Sequence, residues 1–263
     1  MSSSKPIATI FLLVFVSGCT DSDQIYATDD SDAGSGGDSG AEAPDAGVPA
    51  MVCPDPNEAI DPTALIDDME EPSSAIPVIG DRSGGWWTAG DDTAAATIVP
   101  ERGAEATSEL VPGGRCGSRY AMRVTGQGFT DWGSLLGMSF AYSSAGPVPY
   151  DASFREGITF WARIGDTSTN QVRFALSDAN SEPAGGVCTE DGDPGTGCFD
   201  TFGVVVSSLD TTWKRYKIPF RGLTQRDFGL PTEALDAATL YNMGFNFAPG
   251  AIFDFWVDDI SFY

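Results

Sequence analysis

The chain has 263 residues, 38 Asp+Glu against 14 Lys+Arg and no histidine, for a formal charge of −24. Such an acidic surface opposes nucleic acid, which is held by Lys and Arg neutralising phosphates. The absence of histidine excludes Ser-His-Asp triads, Cys-His pairs and His-ligated zinc.

The chain opens MSSSKPIATIFLLVFVSGC. Lys5 supplies a positive start and Ile7 to Val16 a short apolar run. That run falls short of the ~30 Å of hydrocarbon a mature helix must cross, so it reads as the middle of a secretory signal. Val16-Ser17-Gly18-Cys19 resembles the bacterial lipoprotein signal. The resemblance implies a signal peptide over 1–18, cleavage before Cys19, lipidation of its thiol and acylation of the new amino terminus. Several acyl chains anchor durably, since each buried CH₂ contributes about 0.8 kcal/mol. Thr20 in place of Asp leans toward sorting to the outer membrane of a Gram-negative bacterium. The competing reading is an ordinary signal peptide with an incidental cysteine.

Residues 20–50 hold eight acidic groups (Asp21, Asp23, Asp29, Asp30, Asp32, Asp38, Glu42, Asp45) and no Lys or Arg; Gly, Ser and Ala supply most of the rest. This composition buries too little apolar surface to offset the entropy of ordering, which predicts a disordered spacer over 19–52 with a reach of roughly 30 Å. Residues 53–263 are expected to form one domain. Residues 62–263 carry 27 acidic and 13 basic groups, so the domain is acidic in its own right and suits neutral ligands or divalent cations better than polyanions.

Along the domain, β-rich or alternating runs lie between Gly-, Pro- and Asp-rich breaks. They are Ala64–Met69, Arg119–Thr125, Trp132–Ala141, Gly157–Ile164, Gln171–Ser177, Phe202–Val206, Trp213–Phe220, Leu240–Ala248 and Ile252–Phe262. Tyr120, Met122 and Val124 share one face; so do Ile158, Phe160, Ala162 and Ile164; so do Met243, Phe245 and Phe247. One face is core and the other wet, the pattern of antiparallel sandwiches. The one helix expected is short, Thr232–Ala238. The fold class is all-β, an antiparallel β-sandwich of the jelly-roll kind.

Without Cys19, the cysteines are Cys53, Cys116, Cys188 and Cys198, an even number that favours two disulfides in an oxidising compartment. Cys188 and Cys198 bracket a short Gly- and Pro-containing loop, which pairs them and leaves Cys53 with Cys116. The other two pairings remain open.

Ordered motifs then carry a resemblance. They are Ile66-Asp67-Asp68-Met69-Glu70, Gly84-Gly85-Trp86-Trp87-Thr88-Ala89-Gly90-Asp91, Tyr120 to Gly126, Trp132-Gly133, Gly157 to Ala162, Trp213 to Phe220 and Phe253 to Ile260. Their order, closing on Val257-Asp258-Asp259-Ile260, resembles the galactose-binding-like jelly rolls of carbohydrate-binding modules, especially the family 11 type. The resemblance covers about residues 62–263. It implies a concave sheet that binds polysaccharide and a structural calcium. Position by position, it places calcium ligands at Asp68, Glu70 and Asp258, with Asp259 and Asp91 as additions. Calcium takes six to eight oxygens, and carboxylates gathered without a cation would repel. The alternative is a set of solvated strand-end carboxylates. Glu190-Asp191-Gly192-Asp193 lacks the full EF-hand pattern and reads as a turn.

Sugar recognition needs aromatic platforms for the apolar faces of a pyranose and polar side chains for its hydroxyls. Trp161 and Arg163 fall opposite the core residues of their run, and Arg173 takes the equivalent face of the next. Trp87, Trp132, Tyr241, Asn242, Asn246 and Trp256 are further candidates. Trp161 with Arg163 is the first expected pair. Core packing competes with ligand stacking at each tryptophan, and two or more on one wet face decide for a ligand.

The chain contains no G-x-S-x-G, P-loop, dinucleotide fingerprint or H-E-x-x-H. The expectation is therefore a monomeric, non-catalytic, membrane-anchored domain, stabilised by calcium, that binds a neutral polysaccharide or glycan. The alternative is an envelope adhesion or scaffold lipoprotein that binds protein through the same sandwich.

Overall fold

A computed structural model describes residues 61–115, 117–190 and 192–263. The expected leader, Cys19, the expected acidic spacer, the expected Cys53–Cys116 pairing and Asp191 lie outside the described residues. Among the described residues no helix is long and apolar enough to cross a membrane.

The strands are β1 (Leu65–Asp67), β2 (Gly85–Gly90), β3 (Thr97–Val99), β4 (Glu109–Arg115), β5 (Ser118–Gln127), β6 (Ser134–Ser139), β7 (Tyr142–Ser143), β8 (Gly146–Pro147), β9 (Gly157–Ile164), β10 (Val172–Asp178), β11 (Phe202–Val206), β12 (Lys214–Pro219), β13 (Leu240–Phe247) and β14 (Phe253–Phe262). They pair antiparallel into a five-stranded sheet, β11-β10-β13-β6-β2, and a seven-stranded sheet, β12-β9-β14-β5-β3, with β1 on β14 and β4 on β5. β7 and β8 form a separate hairpin.

The nine expected runs all become strands, because alternation alone places one apolar face against a partner sheet. The expected helix does not form. One 3₁₀ turn, Ala237–Thr239, stands near it, capped by Asp236, whose carboxylate accepts from the Ala238 amide. Seven residues following Pro231 offer too little for an isolated helix. Conversely, β2 and β4 are strands that the sequence hides. Pro112-Gly113-Gly114 inside β4 reads as a turn, and β2 is bounded by glycines at both ends.

The two sheets meet through aromatic side chains. Phe160 of β9 packs on Phe174 and Phe245 of the opposite sheet, at ring separations of 5.6 and 5.0 Å, and Phe247 stacks on Phe253 at 4.0 Å. Aromatic pairs of this kind contribute about 0.5–1.5 kcal/mol each beyond their burial. At one end of the core the buried Arg82 donates to the Tyr150 hydroxyl at 2.7 Å and to the carbonyls of Leu65 and Thr63. A cation is tolerated there because its Nη1 and Nη2 donate to oxygens and its plane lies near the rings of Tyr150 and Phe262.

The Cys188–Cys198 disulfide forms as expected and closes the loop between β10 and β11. Asp200, fully buried, accepts from the amides of Arg226, Phe228 and Gly229, and so ties that loop to the segment after β12.

Candidate functional site

Period two decides what each sheet shows to solvent. The pairing registers of the five-stranded sheet align its outward residues in three lateral rows. The first is Gly85, Ser139, Asn242 and Ser177; the second is Trp87, Gly137, Gly244, Ala175 and Gly203; the third is Ala89, Leu135, Asn246, Arg173 and Val205.

The middle row holds one large side chain. The Trp87 ring passes over Gly137, where any Cβ would meet the indole Cζ2 at 2.6 Å, so the glycine makes room for the ring. Beyond Gly137, Gly244 and Ala175 present no more than a methyl group; the row there is itself buried, with Leu135 Cδ1 only 3.5 Å from where a Cβ at 244 would stand. Trp87 is half-buried, and its Nε1 donates to Ser139 Oγ at 3.2 Å.

The first row is a hydrogen-bonded chain. Ser139 Oγ donates to Asn242 Oδ1 at 2.6 Å and lies 3.0 Å from the Tyr142 hydroxyl. Asn242 Nδ2 donates to Glu182 Oε2 at 2.7 Å, and the Asn242 amide donates to Ser177 Oγ at 3.1 Å. Burial raises the Glu182 pKa; the bonds from Asn242 and Ser177 oppose this, and the nearby Glu190 adds to it. Tyr142 is 46% exposed and supplies a second aromatic ring beside this chain. Tyr241 lies beneath: it is buried and donates to the Ala184 carbonyl, so it supports the turn that carries Glu182.

The third row ends in Arg173. Its Nη2 donates to the carbonyls of Thr201 and Thr224, and its guanidinium lies over Gly203. Burial pushes its pKa down to about 10, helped by Arg226 and opposed by Asp200. It holds the edge of the sheet together. Asn246 Nδ2 donates to the Arg173 carbonyl, with its amide half-buried on the outer face. Trp132 is 47% exposed and precedes β6 at the end of this row.

The outer face of the seven-stranded sheet differs. Trp161, Trp213 and Trp256 lie there with Val111 and Ala121 in a second small core. Trp161 is 7% exposed, and the buried Arg115 guanidinium from β4 sits 5.0 Å above its ring. The expected wet face around Trp161 is therefore covered, because β4 folds across it. Arg123 and Arg163 both lie against Trp256, at 4.6 and 4.8 Å, so its faces meet guanidinium groups rather than solvent. Burial lowers the Arg163 pKa, with Asp254 opposing and Arg123 adding. A groove of about 420 Å³ opens beside them, lined by Glu109, Arg123, Arg163, Asp166, Asp254 and Trp256. Arg123 pairs with Asp254 at 2.9 Å, which uses much of the groove's polar capacity internally.

The acidic residues expected to share calcium divide. Asp68, Glu70, Asp258 and Asp259 converge near the junction of β1, β5 and β14, and Ser118 Oγ bridges Glu70 Oε1 and Asp258 Oδ2 at 2.9 and 2.7 Å. The positive charge among them is Arg115, paired with Asp258 at 2.9 Å and with Asp259. Burial raises the Asp258 pKa to about 6, with Arg115 opposing and Asp259 adding. Glu70 Oε1 also accepts the amides of Arg119 and Tyr120. Among the described residues no three acidic or cysteine side chains are grouped to hold a metal ion. Glu70, Asp258 and Asp259 thus accept from protein donors, and Asp68 Oδ1 accepts the Glu70 amide at 3.3 Å. Asp91 stands apart. It accepts the amides of Thr93, Asp131 and Gly133, and these bonds hold its carboxyl well below the usual range against the opposing effect of burial. It pins the turn that presents Trp132.

Of the expected sugar-contacting residues, the structure gathers Trp87, Trp132, Arg173, Asn242 and Asn246 on one sheet, and puts Trp161, Arg163 and Trp256 on the other. Sequence reasoning missed Ser139, Tyr142, Ser177, Glu182 and the glycine strip. The strip was legible as Gly or Ala at alternating outward positions of three runs (Gly137, Ala175, Gly244). Glu182 lies in a loop, where no periodicity points to it.

No protein family model matches the chain, and no curated protein matches it. Among solved structures, the chain is similar to the family 11 carbohydrate-binding module of the cellulosomal cellulase Lic26A-Cel5E of Clostridium thermocellum, at 19% identity over 75% of this chain and 92% of that one, with a TM-score of 0.46. It is similar to the family 11 module of that organism in complex with a β-1,3-1,4-mixed-linked tetrasaccharide, at 20% identity over 76% and 94% of the chains, TM-score 0.46. It also resembles the family 30 module of the C. thermocellum cellulase Cel9D-Cel44B, at 13% identity over 76% and 96%, TM-score 0.45. These are likenesses of fold, and no residue of the site is carried over from them.

Proposed function

We propose that the domain binds a neutral polysaccharide, without cleaving it, on the outer face of the five-stranded sheet. The observation that carries this reading is the side-by-side arrangement of the half-buried Trp87 ring, the exposed Tyr142 ring and the hydrogen-bonded chain from Tyr142 through Ser139 and Asn242 to Glu182. A pyranose offers an apolar face and a rim of hydroxyls. The indole meets the first, and pre-oriented hydroxyl, amide and carboxylate groups meet the second at little ordering cost. Glu182 is the acidic member of that chain, whereas glycoside hydrolysis uses a pair of carboxyls. The acidic domain charge suits an uncharged ligand. In this reading Cys19 is lipidated and the chain is carried on a membrane, with residues 20–50 as the spacer.

The test is a glycan array followed by calorimetry on the soluble chain from residue 20, with a mixed-linkage β-glucan tetrasaccharide as first probe. Binding that is lost in Trp87→Ala supports the reading. A folded chain silent to every glycan refutes it. A second reading, protein binding, is favoured by exposed Val187, Phe199 and Phe228 (54, 52 and 48%) around the stapled loop. It predicts capture of an envelope protein that is lost in Phe199→Ser and indifferent to Trp87→Ala.

A further inference from the structure

The domain's bases are unevenly distributed. Residues 211–226 contain Lys214, Arg215, Lys217, Arg221 and Arg226 and no Asp or Glu, inside a domain of 27 acidic and 13 basic groups. Tyr216 and Ile218 point into the core, so Arg215 and Lys217 face outward from β12. Lys217 and Arg221 are exposed. Lys217 Nζ sits 3.9 Å from the Tyr263 ring centroid, and the field of Arg221 reaches the Tyr263 hydroxyl. Arg155 belongs to the same region. Its neighbour Glu156 donates its amide to the Tyr263 carbonyl and accepts the Phe220 amide. Glu156 is also the carboxylate on this side of the patch.

The start of the described chain already runs toward this patch. Asp61 pairs with Arg155 Nη1 at 3.0 Å, and Thr63 Oγ1 accepts from Arg155 Nη2 at 2.9 Å. Leu65, Ser261, Thr159 and Lys217 lie in one lateral row across β1, β14, β9 and β12. At about 4.8 Å per strand spacing, β1 is therefore about 14 Å from Lys217. Sixteen residues of chain lead from Asp45 to Asp61, and a flexible coil of that length would reach roughly 22 Å, enough to bring the acidic segment onto the patch.

We propose that the acidic segment of residues 21–45 docks on the basic surface formed by the exposed Lys217 and Arg221 of its own chain, beside the Arg155–Asp61 pair. The attraction is between eight carboxylates with no base among them and a local concentration of cations on an otherwise acidic domain. Linkage through Asp61 makes the encounter intramolecular. Docking draws the spacer along the domain and shortens its reach. The inference is independent of the sugar-binding reading.

The lysines make the test clean, because the chain's three are Lys5, in the leader, Lys214 and Lys217. A carbodiimide joins a lysine amine to a carboxylate in contact with it, and peptide mapping identifies the pair. Lys214 with Asp210, at 2.6 Å, is the internal reference. In the soluble chain from residue 20, we expect Lys217 to join carboxylates of residues 21–45 within monomers at low salt. The yield relative to the reference should fall about fivefold at 0.5 M salt, where screening shortens to a few ångströms. It should fall similarly in Arg221→Glu, whose melting temperature should be unchanged because that side chain is exposed. Three outcomes overturn the proposal. One is a yield indifferent to both salt and Arg221→Glu, which reports mere tethered proximity. Another is cross-linking between chains instead of within one. The third is formation of the reference link without any link to the segment.

Discussion

Replacing Trp161 by alanine separates the two faces of the sandwich. Trp161 is 7% exposed, packs with Trp213, Trp256, Val111 and Ala121, and carries the Arg115 guanidinium 5.0 Å above its ring. Truncating a buried tryptophan costs about 3–5 kcal/mol, and the lost cation–π contact adds about 0.5–1 kcal/mol. A domain of this size loses about 2–4 °C per kcal/mol. The expected fall in Tm is therefore roughly 7–24 °C, by differential scanning calorimetry. Below that Tm the variant should bind glycan as the parent does, because the five-stranded sheet is untouched. Trp87→Ala should do the opposite. Its half-buried ring rests on Gly137 and one hydrogen bond, so stability falls by about 1–2 kcal/mol as a surface-side truncation. Affinity should fall by about 30-fold or more, the ~2 kcal/mol of a hot-spot aromatic. A Trp161→Ala chain that melts like the parent and no longer binds, beside a Trp87→Ala chain with full affinity, would refute the placement of the site.

Further outcomes follow from the same geometry. Gly137→Val should displace the Trp87 ring, since a Cβ at 137 meets it at 2.6 Å, and should weaken glycan binding at least about tenfold in titration calorimetry while costing about 1–3 kcal/mol of stability. Asp67 is buried, accepts from Trp86 Nε1 at 2.8 Å and from the Met69 amide, and burial raises its pKa to about 6. A raised folded-state pKa gives stability that is present below the unfolded value and lost as pH rises through 6. Asp67 alone should therefore make the domain less stable at pH 7.5 than at pH 5 by about 1.4 kcal/mol. Denaturation in chelator across that range should show the slope, and Asp67→Asn should reduce it to the part that Asp258 supplies. Chelator itself should leave Tm unchanged, because Arg115 is the cation among Asp258 and Asp259; a fall of several degrees restored by calcium would overturn that assignment. Reducing Cys188–Cys198 should cost at most about 3 kcal/mol, the loop-closure value for its separation of 10, read as a shift in denaturant midpoint.

The strand content was legible because alternation is a local property. In Gly157–Ile164, Ile158, Phe160, Ala162 and Ile164 face the core whatever their partners. The same rule placed Trp161 and Arg163 opposite the core, and that much is right. What lies above them was not local. β4 crosses from distant sequence and sets Arg115 on Trp161, and its Pro-Gly-Gly interior disguised it as a turn. The acidic cluster shows the same division. That Asp68, Glu70 and Asp258 come near one another was implied by the family resemblance, but that an arginine supplies their counter-charge was visible only once β4 was placed.

The sequence by itself determined the class of fold, the inward face of nearly every strand and the short disulfide, because these depend on neighbours two residues apart or on a brief loop. Tertiary structure alone decided what covers each outward face. Two faces with similar tryptophans and arginines differ because one is crossed by a strand and the other is left with glycines beneath Trp87. Whether a face is solvated depends on what else in the chain covers it, and that long-range choice leaves no period in the sequence it covers.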